Sequence, residues 1–131
     1  MIEIARHCKQ GPVKRKDISR NQKISSAYLE NILTSLKSQN LIRTIRGANG
    51  GFTIDASPST ITMFQIVSAL EGSLAPVNCV ENSNFCERSG SCAARKLWQE
   101  LHNAQIEVLK RTTLQSMLDV ENSSQPLDYS I

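Results

Sequence analysis

An amphipathic helix predicted over residues 25–37 constrains the fold of this chain more than any other segment. The apolar residues with the i, i+3, i+4, i+7 spacing of a single buried face are Leu29, Ile32, Leu33 and Leu36. Small and polar side chains occupy the opposite face, and Ser25 or Ser26 is suited to cap the N-terminus. This helix therefore needs a core on one side and leaves the other side free for a partner.

The segments around this helix predict a winged helix-turn-helix. Lys14–Gln22 is a second short helix, and the turn between the two helices follows it. Leu41–Arg46 and Phe52–Ile54 are expected to be strands of a hairpin whose turn holds three glycines that tolerate positive φ. Met1–Cys8 is predicted to be helical and starts without a capping residue, so we expect it to be the second half of a longer helix.

The second helix of a helix-turn-helix lies in the major groove of DNA, and a basic wing can reach phosphates or the minor groove. The predicted contacts are Ser25, Ser26, Tyr28, Asn31 and Lys37 on the helix, and Arg43, Arg46 and Gly47 on the wing. Three alternatives stay open. Tyr28 can be a core residue, the two serines can serve as caps alone, and Arg46 can be an ordinary surface arginine.

The charge is unevenly distributed along the chain. Residues 1–55 hold ten of the fifteen Lys and Arg residues against four acidic residues, whereas residues 56–131 hold five basic and eight acidic residues. A basic first half favours a polyanionic partner, although a solvated basic surface gives the same count.

The second half is predicted to be helical. Thr62-Met63-Phe64-Gln65 fits a capping box, and it opens a helix with the inner face Met63, Ile66, Val67 and Leu70. A long helix starts near Ala93 and ends or bends at Thr112-Thr113; a further turn over Leu114–Asp119 follows. The apolar stripe of the long helix is Leu97, Leu101, Ala104 and Val108, joined by Trp98 and Leu109. This stripe is too long for so small a domain to cover, so a partner subunit is expected to cover it.

These elements predict a mainly α fold with a small β-hairpin wing, a winged helix-turn-helix joined to a long C-terminal dimerisation helix. Three regions are expected. Residues 1–58 bind DNA, residues 59–119 hold a cofactor loop and the dimerisation helix, and residues 120–131 form a flexible tail.

Three cysteines in the segment between the helices indicate a metal site. Cys79, Cys86 and Cys92 are spaced C-x6-C-x5-C, wider than the C-x2-C pairs of structural zinc sites. A soft thiolate cluster of this kind favours iron–sulfur chemistry, and an odd count argues against a closed disulfide set. The alternative is three unrelated free cysteines, whereas Cys8, among apolar residues, is expected to be packed.

Other classes of protein are disfavoured. His7 and His102 are far apart, neither adjoins a cysteine as a nucleophile's base, and the glycine-rich turn lacks the Lys-Ser/Thr of a P-loop, so we expect no enzyme. No apolar run reaches membrane-spanning length and no secretory signal is visible, so we expect a cytoplasmic protein with no membrane partner.

The order of these motifs resembles a family of winged-helix regulators that includes IscR, NsrR and CymR. The residues that carry the resemblance are Ile24–Glu30, the wing Ile45–Phe52, the segment Ile61–Gly72, the three cysteines and the helix bearing Trp98. It covers residues 1–119 and implies a homodimeric repressor that binds a palindromic operator in double-stranded DNA. In members with the cysteine triad it also implies a 2Fe–2S or 4Fe–4S cluster on Cys79, Cys86 and Cys92 that senses redox state, nitric oxide or cluster supply.

The chain departs from this family in two ways. Members usually carry another turn or more of helix ahead of the position of Met1, and some draw a non-cysteine cluster ligand from that segment of the partner, so an apo form is one expectation. IscR-like members have a histidine three positions after the third cysteine, where this chain has Arg95, a very poor ligand. His102 lies roughly 15 Å further along a helix. Members without the triad, such as CymR, act through a protein partner. The alternative is therefore a cluster-free regulator that acts through a protein partner or through redox-reactive thiols.

Overall fold

The computed structural model describes residues 1–124, which form seven α-helices, one 3-10 turn and one hairpin. The elements are α1 (Ile2–Arg6), α2 (Arg15–Gln22), α3 (Ser26–Ser38), β1 (Arg43–Ile45), β2 (Gly51–Thr53), α4 (Met63–Glu71), α5 (Asn78–Glu81), the turn Ser83–Phe85, α6 (Ala93–Arg111) and α7 (Leu114–Ser124). The mainly α fold with a β-hairpin wing is confirmed, and within residues 1–124 no helix is long and apolar enough to cross a bilayer.

The helix-turn-helix consists of α2 and α3, which pack against each other. Lys23 closes α2 in the left-handed conformation, and the Ser19 hydroxyl donates to the Ile24 carbonyl at 2.7 Å. The predicted stripe of α3 is largely confirmed, because Leu29, Leu33 and Leu36 are buried, whereas Ile32 packs at the edge of the core.

The wing is shorter than predicted but is braced on two sides. β1 and β2 pair antiparallel with Thr44 opposite Phe52. Ile42 and Ile54, which were expected to extend the strands, turn into the core instead. Phe52 also exchanges two backbone hydrogen bonds with Val13, of 2.8 and 2.9 Å. The segment ahead of α2 therefore pairs with β2 on the side away from β1.

The wing glycines meet a steric requirement. A Cβ at Gly51, whose φ is +156°, would lie 2.4 Å from the Val13 carbonyl oxygen, and a Cβ at Gly50 would lie 2.1 Å from the Ile45 oxygen. Only glycine fits this close approach of three backbone segments.

Helix α4 lies between α3 and α6 and connects the first half of the chain to the second. The capping box of Thr62 and Gln65 is confirmed. The predicted inner face is partly wrong, because Leu70 is exposed and Ala69 packs on the core with Met63 and Ile66. The apolar residues of α4 are divided between two neighbouring helices, so no single i, i+4 stripe describes them.

The last helix extends further than predicted. α7 continues through Ser124, so residues 120–124 are helical rather than part of a flexible tail. The segment holds no glycine or proline before Pro126 that would end the helix, and Leu114 and Leu118 anchor it in the core. The rest of the predicted tail, residues 125–131, lies outside the described residues.

A buried carboxylate joins α1 to the end of α2. Glu3 is 4% exposed and accepts hydrogen bonds from Asn21 at 2.8 Å, Arg6 at 3.0 Å and Gln22 at 3.2 Å. Arg6 also pairs with Glu121 of α7. Burial lowers the pKa of the Met1 α-amino group, and the nearby Glu3 charge opposes that shift.

Candidate nucleic-acid interface and cysteine loop

The N-terminus of α3 is capped by one of the two predicted serines. Ser25 is the N-cap, and its hydroxyl accepts from the Tyr28 amide at 3.2 Å. Ser26 is the first helical residue, and both serines are exposed. The remaining free amides of the first turn therefore face solvent, where a phosphate oxygen can accept from them.

The exposed face of α3 is defined by Tyr28 and Asn31. Tyr28 is 60% exposed, which decides against the alternative that it is a core residue. Asn31 follows one turn later on the same face and is also exposed. Lys37, by contrast, follows Glu30 by two helical turns and therefore lies on the same side of α3 as Glu30. The Glu30 carboxylate pairs with Arg15 of α2. The structure thus brings Tyr28 and Asn31 together and leaves Lys37 on a different stripe.

The two wing arginines have different surroundings. Arg43 donates its Nε to the Asp55 carboxylate at 2.6 Å. Arg46 follows β1, is exposed and forms no ion pair among residues 1–124. Gly47, with φ +112°, starts the turn, and its carbonyl accepts from the Gly50 amide at 3.0 Å. Arg46 is therefore the wing cation that is free to meet a phosphate.

The Arg43–Asp55 pair was missed by the sequence analysis, although the sequence carries its signal. Arg43 lies opposite Thr53, the last residue of β2, and Asp55 follows two positions later along the chain. Diagonal neighbours at this spacing are within reach of long side chains.

The segment 78–92, called here the cysteine loop, holds the three predicted ligands. Cys79 lies in α5 and is half-buried, Cys86 is exposed after the 3-10 turn, and Cys92 is the half-buried N-cap of α6. All three are free thiols. In the described part of the chain, no three His, Cys, Asp or Glu side chains are placed to hold a single metal ion. The donor chemistry suits an iron–sulfur cluster, but binding one requires the loop to draw its thiols together.

Polar groups beside the thiols are not fully satisfied. An open pocket of about 310 Å³ is lined by Cys86, Ser89, Gly90 and Arg95, among others. The Ser89 hydroxyl is buried there without a hydrogen-bond partner in the described chain. Arg95 donates its Nε to the carbonyl of Cys79 at 2.8 Å. This bond joins residues 16 positions apart, so no local sequence signal indicated it.

Helix α6 buries none of its 19 residues. The predicted apolar stripe is exposed, with Leu97 54%, Leu101 51% and Val108 46% accessible. Leu109 was assigned to this stripe wrongly, because it is half-buried together with Ile106 on the inward side. It lies about 100° from Val108 around the helix axis, and α4 packs against that inward side.

Comparison with known proteins gives a consistent result. Residues 1–120 match the Rrf2 family model, described as an iron-dependent transcriptional regulator. The transcriptional regulator CymR of Bacillus subtilis is 34% identical over 125 residues, covering 95% of this chain and 86% of that protein. The regulator IscR of Pectobacterium carotovorum is 30% identical over 130 residues, covering 99% and 77%.

Two solved structures show the same architecture. A CymR structure, described as the global cysteine regulator of B. subtilis, superposes with a TM-score of 0.75 at 34% identity and covers 91% of this chain and 87% of its own. The IscR structure of T. potens gives a TM-score of 0.77 at 29% identity, covering 98% and 85%. The winged-helix fold is thus shared along nearly the whole chain.

The two serines at the start of α3 allow a matched test of the cap. We expect Ser25→Ala to lower the free energy of unfolding by about 1 kcal/mol, because the Tyr28 amide loses its acceptor. Ser26→Ala should change it by less than about 0.5 kcal/mol, since a first-turn alanine is a good helix former. Urea titrations followed by circular dichroism measure both values. Equal destabilisation by the two variants would show that Ser25 is not the cap.

Proposed function

The chain belongs to the Rrf2 family of transcriptional regulators, which are not enzymes, and from this we propose that it is a homodimeric, operator-binding repressor controlled by an iron–sulfur cluster on its cysteine loop. DNA binding and transcription regulation are properties of the family and its named relatives. The operator, the subunit arrangement, the cluster and the sign of regulation are the proposed parts.

The DNA-binding surface is proposed on α3 and the wing. Tyr28 and Asn31 face solvent together, the amides of the first turn of α3 are free, and Arg46 has no ion-pair partner in the described chain. Side chains on the exposed face of α3 can contact base edges, whereas Arg46 can only neutralise backbone charge or enter the minor groove. Arg43 is proposed as a weaker phosphate contact, since its charge is already paired with a carboxylate. Lys37 is also proposed as a weaker contact, since it lies on a different stripe of α3.

The cluster proposal rests on the concentration of thiols between α4 and α6. Three of the four cysteines of the chain lie within the cysteine loop, all unpaired. The family model that matches residues 1–120 is described as iron-dependent. Cys79, Cys86 and Cys92 would hold the cluster, which would supply a redox-labile group whose loss frees the loop. Because the loop continues directly into α6, a change in its conformation can be transmitted to the subunit contact.

The dimer is proposed on the exposed stripe of α6. Leu97, Leu101, Ala104 and Val108 recur at the spacing of a coiled-coil seam, and three of their apolar side chains are about half exposed. A second copy of α6 supplies the same apolar pattern, so a twofold contact buries both stripes at once. A palindromic operator matches that symmetry.

The second candidate function is a cluster-free regulator that acts through a protein partner or through its thiols. The observation that favours it is the exposed Cys86, together with similarity to a protein described as a global cysteine regulator. Mass spectrometry of the native chain separates the two candidates. Disulfides or thiol adducts without iron support the second, and bound iron and sulfide support the first.

Removing the free wing arginine should weaken DNA binding through electrostatics. We expect Arg46→Ala to lower operator affinity. The slope of log K, the association constant, against log salt should decrease in magnitude by about 0.9, the value expected for the loss of one phosphate contact. Lys96→Ala, which removes an exposed cation of α6, is the control and should leave the slope unchanged. Fluorescence anisotropy on an operator obtained by in vitro selection measures both. Equal slopes for the two variants would exclude a wing contact.

The cysteine triad should hold iron. Anaerobic reconstitution with ferrous iron and sulfide should give a coloured protein with thiolate-to-iron absorption, and Cys86→Ser should abolish it. Cys8→Ser is the matched control, because Cys8 packs against the core outside the loop and should not affect iron content. Iron and sulfide analysis accompanies the spectra. A colourless wild-type protein, or iron retained by Cys86→Ser, would refute the cluster.

The exposed stripe of α6 should be the subunit contact. We expect Leu101→Glu to convert a dimer to a monomer, because a carboxylate in the centre of the seam would lose its solvation. Asn103→Glu introduces the same charge on another face of α6 and should leave the dimer intact. Analytical ultracentrifugation measures the mass, and emission of the single tryptophan, Trp98, reports the local change. A monomeric wild type, or a dimeric Leu101→Glu variant, would contradict the proposal.

A further inference from the structure

Arg95 connects the start of α6 to the backbone of the first cysteine. It is the third residue of α6, and its Nε donates to the Cys79 carbonyl at 2.8 Å across 16 residues of chain. The Arg95 side chain, three residues after Cys92, therefore links the end of the cysteine loop to the backbone of Cys79 near its start. In the described residues this is the only side-chain hydrogen bond from α6 to α5.

The charge of Arg95 lacks a counter-ion. The first turn of α6 has no acidic residue, and Arg95 forms no ion pair with a carboxylate of residues 1–124, although Glu87 lines the same pocket. Arg95 is also half-buried at a helix N-terminus, where the helix dipole favours anions and disfavours cations. An anion in the pocket beside it would therefore interact favourably with both the guanidinium and the helix N-terminus.

The pocket contains a second unsatisfied group. The Ser89 hydroxyl is buried without a partner in the described chain, and Ser89 lines the same open pocket as Arg95 and Cys86. An unpartnered hydroxyl and a guanidinium whose charge has no carboxylate partner favour a polar, negatively charged occupant. A thiolate-ligated cluster carries net negative charge, so it matches this requirement.

We propose that Arg95 is a positioning residue of the cysteine loop, which fixes the backbone at Cys79 and compensates the negative charge of the thiolate-ligated group held by the loop. The second role rests on the proposed function; the first does not. Arg95 is not a ligand, since a guanidinium stays protonated and has no free lone pair to donate. It acts through the hydrogen bond to the Cys79 carbonyl and through its charge, which are the means by which protein surroundings tune a cluster.

The positioning role is tested on the full-length, metal-free protein. Hydrogen–deuterium exchange is measured for wild type, Arg95→Gln and the control Lys96→Gln, which removes the neighbouring charge without touching Cys79. We expect the amides of residues 78–82 to exchange about tenfold faster in Arg95→Gln, because a charge-assisted hydrogen bond is lost. Lys96→Gln should match wild type. Unchanged exchange in Arg95→Gln would overturn the positioning role.

The charge role is tested on the reconstituted protein. The reduction potential should become more negative in Arg95→Gln, because a reduced cluster carries one more negative charge and loses a nearby cation. Arg95→Lys should restore most of the wild-type value, and Lys96→Gln should shift it less than Arg95→Gln does. Equal shifts in Arg95→Gln and Lys96→Gln would overturn the charge role.

The two experiments also separate this proposal from the proposed function. If the wild-type protein takes up no cluster but Arg95→Gln accelerates exchange at residues 78–82, the cluster is refuted and the positioning role stands. If wild type and Arg95→Gln take up identical clusters with the same potential and the same exchange, the role of Arg95 is refuted and the cluster stands.

Discussion

Packing of α4 between α3 and α6 is the contact on which the rest of the structure depends. The buried stripe of α3 meets α4 on one side, and Ile66 of α4 is buried in the shared core. The other side of α4 supports α6, which buries none of its own residues. The exposed face of α3 and the apolar stripe of α6 are therefore fixed relative to each other by one nine-residue helix with caps at both ends.

A second connection runs through the helices at the two ends of the described chain. α7 packs on α1, and Arg6 pairs with both Glu121 and the buried Glu3. Glu3 in turn accepts from Asn21 and Gln22, the last residues of α2. Because a buried carboxylate loses its contacts with water, these donors compensate for that loss and hold Glu3 in place. A displacement of α6 that reaches α7 can thus act on the helix-turn-helix by a route that does not pass through α4.

Much of this architecture could be predicted because it is specified locally. The cap at Ser25, the capping box at Thr62 and the glycines of the wing each depend on residues within a few positions. Element boundaries were less predictable where the core decides them. Ile42 and Ile54 have strand-like sequences but leave the hairpin for the core, and α7 continues to Ser124 because Leu114 and Leu118 hold it there.

Features that join distant parts of the chain were not predictable from one sequence. The bond from Arg95 to Cys79 and the burial of Glu3 depend on how helices cross, which no periodicity specifies. Leu109 was placed on the wrong side of α6 for the same reason, since the apolar pattern alone does not say which flank of the stripe α4 covers. The eight predicted DNA contacts and the three predicted ligands stay predictions, although all eight contacts are exposed and all three thiols are unpaired.

The two backbone bonds between Phe52 and Val13 have a consequence for how such a protein reads duplex sequence. They tie the wing to the segment that leads into α2, and α2 packs against α3, so the wing and the proposed DNA-contacting helix are held in a fixed arrangement. In the proposed dimer, each subunit would then offer a fixed footprint to its own half-site. What remains adjustable in a dimer is the distance and rotation between two such footprints, which must match about one turn of B-form helix, roughly 34–36 Å. Selectivity among promoters would then depend on the length of the spacer between half-sites as much as on the bases within them.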